Sequence, residues 1–369
     1  MRANVKILLL IVASLVILAV VVLVTGPART LAAVQRAGLT AFVAVGVTML
    51  ATLLLRAAAW SVLKVSTGHR VPFRTLLAAE TLGQAGNILT PSSYLGGEPL
   101  KVIYVGRAVP HRYREIAGTV LLGKYLEVIS FLLASGLGTI AVLVVFRDVL
   151  VSSYPGLGAG LLAMTGLWLG LSIVLLVSLR RGWRPLTRLV RLMGRTGLFT
   201  RFFGRLAYRT RRMEEHVSRV IRQERGAPRW AFALYLALHA VIIVRPGVFF
   251  WFGGHVVMGP GELCLIFVAS QMLLFFQLTP SGVGTLDGGM IGVFAMLGLG
   301  QGDCMAFLLC LRLWDGVVIG AGALLATRTG AQILAARPRG VPEALQDDAD
   351  PEARPGQGRH GLPDGPTTS

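Results

Sequence analysis

The sequence predicts an all-α integral membrane protein, a polytopic helix bundle of about eight spans, and three observations support this fold class. Hydrophobic residues make up 54% of the 369 residues, and the mean hydropathy is +0.67. Charged residues make up only 15%, compared with about 25% in soluble domains. The apolar residues occur in runs close to the ~20 residues that cross a bilayer core. This composition excludes a soluble globular enzyme, a disordered chain and a disulfide scaffold.

Eight apolar runs are the predicted spans. Residues 7–24 are interpreted as an uncleaved span, since their apolar core is longer than that of a signal peptide. Eight crossings place both termini in the cytoplasm. Residues 286–299 form the shortest run, and a re-entrant segment there would reduce the count to seven and move the C-terminus outside. The other runs are residues 39–55, 116–146, 157–179, 230–252, 263–278 and 307–326.

The net charge of +18 is concentrated in two segments. Residues 180–229 hold 15 arginines and three acids, and residues 56–114 hold eight basic residues and two acids. Membrane proteins concentrate Lys and Arg in cytoplasmic loops, so both segments are predicted to be basic cytoplasmic loops rather than a nucleic-acid-binding surface. For residues 180–229 the alternative is an interfacial helix pair on anionic lipid heads, because leucines alternate with the arginines.

Four regions follow from this charge distribution. They are a first membrane half (1–179), an Arg-rich cytoplasmic linker (180–229), a second membrane half (230–328) and a tail (329–369). The tail is rich in Pro, Gly and acidic residues and is predicted to be disordered. Two glycine pairs with GxxxG spacing, Gly166/Gly170 and Gly316/Gly320, favour close helix packing.

A motif recurs in the two membrane halves. Leu-Thr-Pro-Ser occurs around Pro91 and again around Pro280, and seven residues after each proline stands a carboxylate, Glu98 or Asp287. Glycines precede both acids: Gly96 and Gly97 in the first copy, Gly282 and Gly284 in the second. Farther along, each half carries a base followed by an acid at i+3, Lys124 with Glu127 and Arg312 with Asp315. These matched offsets predict two related halves with re-entrant Pro/Gly motifs, as in many transporters.

Two interpretations of these polar residues stay open. A charge at the bilayer centre costs about 2.5–3.5 kcal/mol, so each base–acid pair either locks helices together or faces a polar cavity that passes a lipid head group. The glycine segments are either ordinary interfacial loops or sites whose backbone N–H groups receive a phosphate, with Lys101 nearby. Arg245 lies in the middle of a predicted span beside Pro246 and is a candidate anion site.

The segments from Pro91 to Lys101 and from Pro280 to Asp287 resemble the flippase-like membrane family that includes the transmembrane part of lysylphosphatidylglycerol synthases. The resemblance covers roughly residues 5–330. It implies a multi-pass protein of the bacterial inner membrane, with about eight spans and a role in lipid translocation or another lipid-linked envelope process. The family pattern has Arg at Lys101 and Lys124, Gly at Ser281 and Glu at Asp287. It does not imply lipid aminoacylation, because the aminoacyl-transferring members carry a large extra catalytic domain.

The leading hypothesis is a protein that binds and flips a phospholipid or related envelope lipid, with no catalytic residue, metal or cofactor. Its partners would be membrane lipids with anionic or zwitterionic head groups, and self-association or a partner enzyme is left open. A membrane enzyme acting on a lipid-linked substrate, such as a glycosyl transferase, is one alternative, and an accessory subunit of a lipid or cell-wall synthesis complex is another. The expected binding residues are Pro91, Gly96, Gly97, Glu98, Lys101, Lys124, Glu127, Arg245, Pro280, Gly282, Gly284, Asp287, Arg312 and Asp315.

Overall fold

The computed structural model describes residues 27–64, 71–90, 96–109, 113–148, 155–181, 185–194, 211, 214, 226–275 and 285–335. These residues form α-helices and contain no β-strand, which confirms the all-α prediction for the described part. The helices are α1 (Pro27–Lys64), α2 (Phe73–Leu89), α3 (Glu98–Ala108), α4 (Tyr113–Val145), α5 (Pro155–Arg181), α6 (Pro185–Gly194), α7 (Gly226–Gly254), α8 (Pro260–Phe275), α9 (Thr285–Met296) and α10 (Gln301–Ala335).

Five of these helices, α1, α4, α5, α7 and α10, are long and apolar enough to cross a membrane. Helices α8 and α9 are apolar but have only 16 and 12 residues. At about 1.5 Å per residue, each is shorter than the ~30 Å hydrocarbon core of a bilayer. They cover the described residues of the predicted run 263–278 and most of the predicted run 286–299. The predicted first span, residues 7–24, lies outside the described residues.

The outer surfaces of the long helices are apolar, as a bilayer requires. Leu137 on α4, Leu162 on α5 and Leu324 on α10 are 55%, 63% and 65% exposed. A water-soluble monomer rarely exposes so many large apolar side chains together. The protein is therefore a multi-pass membrane protein whose exposed leucines face lipid.

Helices α1 and α7 make the most extensive helix–helix contact and form the centre of the compact unit Met1–Ala326. An aromatic cluster beside them contains Phe249, Phe250, Phe294 and Phe307 from α7, α9 and α10. Helix α4 packs against α5, α7 and α8, and α2 and α3 complete the first half beside α1 and α4. The second unit, Thr327–Ser369, contains the end of α10, so that helix continues into the predicted tail.

In its described residues the basic segment 56–114 is mostly helical, so the prediction of a loop was wrong there. These residues include the end of α1, the whole of α2 and α3, and the first residues of α4. Glu80 and Lys101 within it are buried, with relative exposures of 4% and 6%. Counting charges along the sequence fails here because cations and carboxylates that are far apart in sequence neutralise one another in the fold.

The described part of the Arg-rich linker is helical and attached to the membrane helices. On α6, Thr187 and Val190 are buried while Arg188 and Arg191 are exposed, which is the amphipathic pattern of an interfacial helix. The buried carboxylate of Glu214 accepts hydrogen bonds from Tyr125 Oη of α4 (2.7 Å) and from the Thr187 backbone N–H (3.1 Å). This acid therefore connects the linker to α4.

The GxxxG pairs do not mediate close packing within the described chain. A Cβ atom added at Gly166, Gly170, Gly316 or Gly320 would meet no other described atom within 4 Å. Other glycines do allow close approach, among them Gly83 and Gly97 where α2 meets α3. GxxxG spacing therefore did not identify the tight helix contacts.

Candidate functional site

Six charged side chains from four helices come together inside the first half, and we call them the first charge cluster. All six are largely withdrawn from the surface, since the most exposed of them is 16% exposed. Charged groups at this depth persist only when they are paired. The members are Arg56 on α1, Glu80 on α2, Glu98 and Lys101 on α3, and Lys124 and Glu127 on α4.

Within the first charge cluster, cations and carboxylates alternate along a chain of contacts. Lys101 Nζ lies 2.8 Å from Glu80 Oε2 and 3.2 Å from Glu98 Oε2. Lys124 Nζ lies 3.5 Å from Glu98 Oε1 and 3.1 Å from Glu127 Oε2. Arg56 forms an ion pair with Glu127 at the far end. The pairing of Lys124 with Glu127 across one helical turn was predicted and is confirmed.

The junction between α2 and α3 positions Glu98 and Lys101. The Gly97 N–H donates to the buried Asn87 Oδ1 at 2.7 Å, which fixes the start of α3 against the end of α2. Gly97 also lies directly against the backbone of Gly83, so that a side chain at residue 97 would overlap the Gly83 carbonyl. Because Gly83 has no side chain either, Lys101 passes across α2 and reaches Glu80.

At the first turn of α3, both glycines of the predicted phosphate site lie against other protein groups. The Gly97 N–H is already bound to Asn87, and the Cα of Gly96 lies beside the Thr90 side chain. Glu98 itself begins the helix, followed by Pro99, and a carboxylate there is stabilised by the positive end of the helix dipole. The glycines therefore allow close packing, and the charged side chains carry the chemistry of this site.

A narrow cavity of about 10 Å³, with room for about one water molecule, borders the first charge cluster. Its wall includes Gly123, where an added Cβ would lie 2.9 Å from Tyr235 Oη of α7, so the second membrane half also contributes to it. Trp60 Nε1 donates to Thr119 Oγ1 at 3.1 Å and closes one side. No group of three or more His, Cys, Asp or Glu side chains in the described ranges is arranged to hold a metal ion. The lining residues are Trp60, Glu80, Glu98, Lys101, Thr119, Val120, Gly123, Lys124, Glu127 and Tyr235.

A second charge cluster lies in the second half and consists of Arg245, Asp287, Arg312 and Asp315. Arg312 contacts the fully buried Asp287 at 3.2 Å and Asp315, one turn along α10, at 3.7 Å. The sequence predicted this Arg312–Asp315 contact, which is confirmed. None of the four lines the cavity of the first cluster. The charged residues that were expected to line one groove therefore form two separate clusters in the described residues.

Arg245 reaches from α7 to α1. Its Nε donates to Thr48 Oγ1 at 2.9 Å, and the carboxylate of Asp315 attracts it electrostatically. The Thr48 hydroxyl in turn donates to the Val45 carbonyl at 2.7 Å. Thr48 is thus the partner of Arg245 that the sequence did not identify, and it connects the second cluster to the helix that carries Arg56.

Replacing Thr48 with valine is expected to destabilise the protein by about 1 kcal/mol more than replacing Thr52 with valine. The two threonines are equally buried on α1, and each donates to a carbonyl three residues earlier at 2.7 Å. Only Thr48 also accepts a hydrogen bond from Arg245. Thermal unfolding of both variants in the same detergent measures the difference, and equal losses of stability would contradict the Arg245–Thr48 contact.

The two clusters have the same internal arrangement. In each, a carboxylate in the first turn of a short helix contacts a base on the next long helix: Glu98 contacts Lys124, and Asp287 contacts Arg312. In each, that base also contacts the acid three residues later, Glu127 or Asp315. The repeated acid and base–acid features of the sequence therefore make matching contacts in the two clusters.

This arrangement can be compared with known proteins. The family model of the lysylphosphatidylglycerol synthase TM region matches residues 10–322, most of the chain and both charge clusters. The chain belongs to this family. The resemblance inferred from the two Pro–Gly segments is thereby confirmed. Comparison with the curated proteins gives no match, and comparison with the solved structures gives none either.

In this member of the lysylphosphatidylglycerol synthase TM family, Arg56 and Glu80 belong to the first charge cluster, and sequence reasoning missed both. Both were counted as charges of a basic loop. The signal that could have found them is their place in apolar helices, since Arg56 follows Leu53-Leu54-Leu55 and Glu80 follows Leu76-Leu77-Ala78-Ala79. Four predicted site residues, Pro91, Pro280, Gly282 and Gly284, lie outside the described residues.

Proposed function

We propose that this protein binds the head group of a membrane phospholipid, or of a related envelope lipid, at its buried charge clusters and moves it between the two leaflets. The observation that carries the proposal is the first charge cluster, a series of six paired charges beside a narrow cavity inside an apolar bundle. The cavity has room for about one water molecule in this conformation, so the helices that line it would separate to admit a head group. Such charges are expensive in a bilayer and are characteristic of substrate pathways. The acyl chains would stay in the lipid that surrounds the exposed leucines.

The full architecture that we propose has about eight spans in the bacterial inner membrane, with two related halves and re-entrant Pro/Gly segments. The matching arrangement of the two clusters supports the related halves, and the short lengths of α8 and α9 support a re-entrant segment. Short helices at membrane depth are accommodated when they pack within protein or line a cavity. The cytoplasmic side would then carry the Arg-rich linker.

The protein would act without covalent chemistry. The sequence contains no nucleotide-binding loop of the GxxxxGK[ST] type, so translocation would be downhill or coupled to protons through the buried carboxylates. All the residues of both clusters lie between Arg56 and Asp315, within the membrane halves.

The direct experiment is reconstitution of the purified protein into vesicles with a trace of phospholipid that carries a fluorophore on its acyl chain. A membrane-impermeant reductant quenches only the outer leaflet, about half of the label in protein-free vesicles. In vesicles that contain the protein, we expect most of the label to be quenched, because translocation brings inner-leaflet label to the outer leaflet. A quenched fraction equal to that of protein-free vesicles, for every phospholipid tried, would contradict the proposed function.

Removing the residues after Gly340 is expected to leave translocation unchanged. Both charge clusters lie before this point, and the acidic Asp348–Asp350 stretch that a metal-dependent enzyme would need lies after it. The same vesicle assay on full-length and shortened protein measures the effect. Loss of translocation in a shortened protein that still elutes as a single species would contradict a site confined to the membrane helices.

A further inference from the structure

The first charge cluster is electrically balanced along its whole length. It contains three cations and three carboxylates, and it runs in alternating order from Glu80 through the two lysines to Arg56. Inside an apolar bundle, an added unit charge is poorly screened and raises the energy of the whole site. The occupant that leaves the balance undisturbed has no net charge of its own.

We propose that the first charge cluster selects zwitterionic head groups, which combine a phosphate with an ammonium, over head groups that carry only a phosphate. This inference rests on the proposed function and names its substrate class. A zwitterion can exchange partners with the cluster, because its phosphate takes the place of a carboxylate beside a cation and its ammonium takes the place of a lysine beside a carboxylate. An anionic head group provides only the first exchange and leaves a carboxylate without its cation.

Glu98 is where the ammonium would bind. It is the central carboxylate of the first charge cluster, and it lines the cavity. Its Oε1 atom is buried and accepts no hydrogen bond from the described residues, and the nearby Lys124 Nζ is 3.5 Å away. A buried carboxylate oxygen without a hydrogen-bond donor is unfavourable, and an ammonium N–H would satisfy it.

Glu80 and Arg56 stand at the two ends of the first charge cluster, and replacing them changes its charge balance in opposite directions. Glu80 contacts Lys101, which keeps Glu98 as a second partner, and Arg56 contacts Glu127, which keeps Lys124. Glu80→Gln therefore gives the site one extra positive charge, and Arg56→Gln gives it one extra negative charge. Neither substitution leaves the neighbouring charge unpaired.

The experiment measures, for each protein, the ratio of the translocation rates of acyl-labelled phosphatidylethanolamine, whose primary ammonium has N–H donors, and acyl-labelled phosphatidylglycerol. We expect the wild-type ratio to exceed one. Glu80→Gln should lower this ratio by about tenfold, and Arg56→Gln should raise it by a similar factor. The matched controls, Glu262→Gln and Arg36→Gln, make the same charge changes outside both clusters and should keep the wild-type ratio.

The outcomes separate this inference from the proposed function. A wild-type protein that moves both lipids at equal rates, or end variants that shift the ratio in the same direction or not at all, would overturn the inference and leave translocation standing. A wild-type protein that moves neither lipid would overturn both. Where an end variant does not fold, Glu98→Gln replaces Glu80→Gln and Lys124→Gln replaces Arg56→Gln. Each makes the same charge change at the middle of the cluster, so Glu98→Gln should lower the ratio and Lys124→Gln should raise it.

Discussion

Alanine at Glu98 is expected to reduce lipid translocation by about a hundredfold or more while the protein still folds as a bundle. Glu98 is the one carboxylate that contacts both lysines of the first charge cluster, at 3.2 Å and 3.5 Å. Its removal splits the alternating chain into a neutral pair and a group of net charge +1. The ammonium-binding oxygen is lost at the same time. Translocation rate per reconstituted protein, in the fluorescence-quenching assay, is the quantity to measure.

Arg312→Ala makes the same test in the second cluster, where Arg312 is the base that contacts both Asp287 and Asp315. Glu262→Ala is the control, since Glu262 accepts the Gly259 N–H at the start of α8 and belongs to neither cluster. Size-exclusion profiles and thermal unfolding show whether each variant is folded. Wild-type rates in both folded variants would contradict the assignment of the clusters as the site.

Among the described glycines, Gly97 is expected to be the one whose replacement by alanine is most destabilising, by about 3 kcal/mol. The added methyl group would overlap the Gly83 carbonyl, which is backbone and has no rotamer to change. Relief requires α2 and α3 to separate, and this weakens both the Asn87–Gly97 hydrogen bond and the Lys101–Glu80 ion pair. Gly97 has ordinary helical dihedral angles, so the loss is steric rather than conformational.

Gly166→Ala provides the matched comparison. Gly166 lies within α5, and an added Cβ there would meet no described atom within 4 Å. Alanine favours helix over glycine by about 1 kcal/mol, so this variant should be as stable as the wild type or slightly more stable. Denaturation midpoints in mixed micelles measure both variants. Equal midpoints for Gly97→Ala and the wild type would contradict the close contact between α2 and α3.

The sequence was sufficient to predict features that depend on local spacing. Long apolar runs predicted the membrane helices, and a base followed by an acid at i+3 predicted the contacts of Lys124 with Glu127 and of Arg312 with Asp315, because residues three apart share a helix face.

Features that depend on packing between distant segments were not predicted. Arg56 and Glu127 are 71 residues apart, and Arg245 and Thr48 are 197 apart, so no periodic pattern connects them. Glu80 was assigned to a basic loop because net charge per segment ignores which charges are buried together. For the glycines of the first motif, an ordinary loop and a phosphate site were both left open. Neither interpretation included the contact of Gly97 with the Gly83 backbone, because a glycine pattern alone does not identify a neighbouring helix.

The central claim, that a lipid head group enters the first charge cluster, is tested most directly by photo-crosslinking with a zwitterionic phospholipid that carries a diazirine on its head group. Mass spectrometry of the labelled peptides locates the contact. We expect labelling at the cavity residues of α2, α3 and α4, including Val120 and Gly123. A probe with the diazirine on its acyl chain should instead label exposed residues such as Leu162 and Leu324. Head-group labelling confined to the exposed surface, with none in the cavity, would contradict the claim.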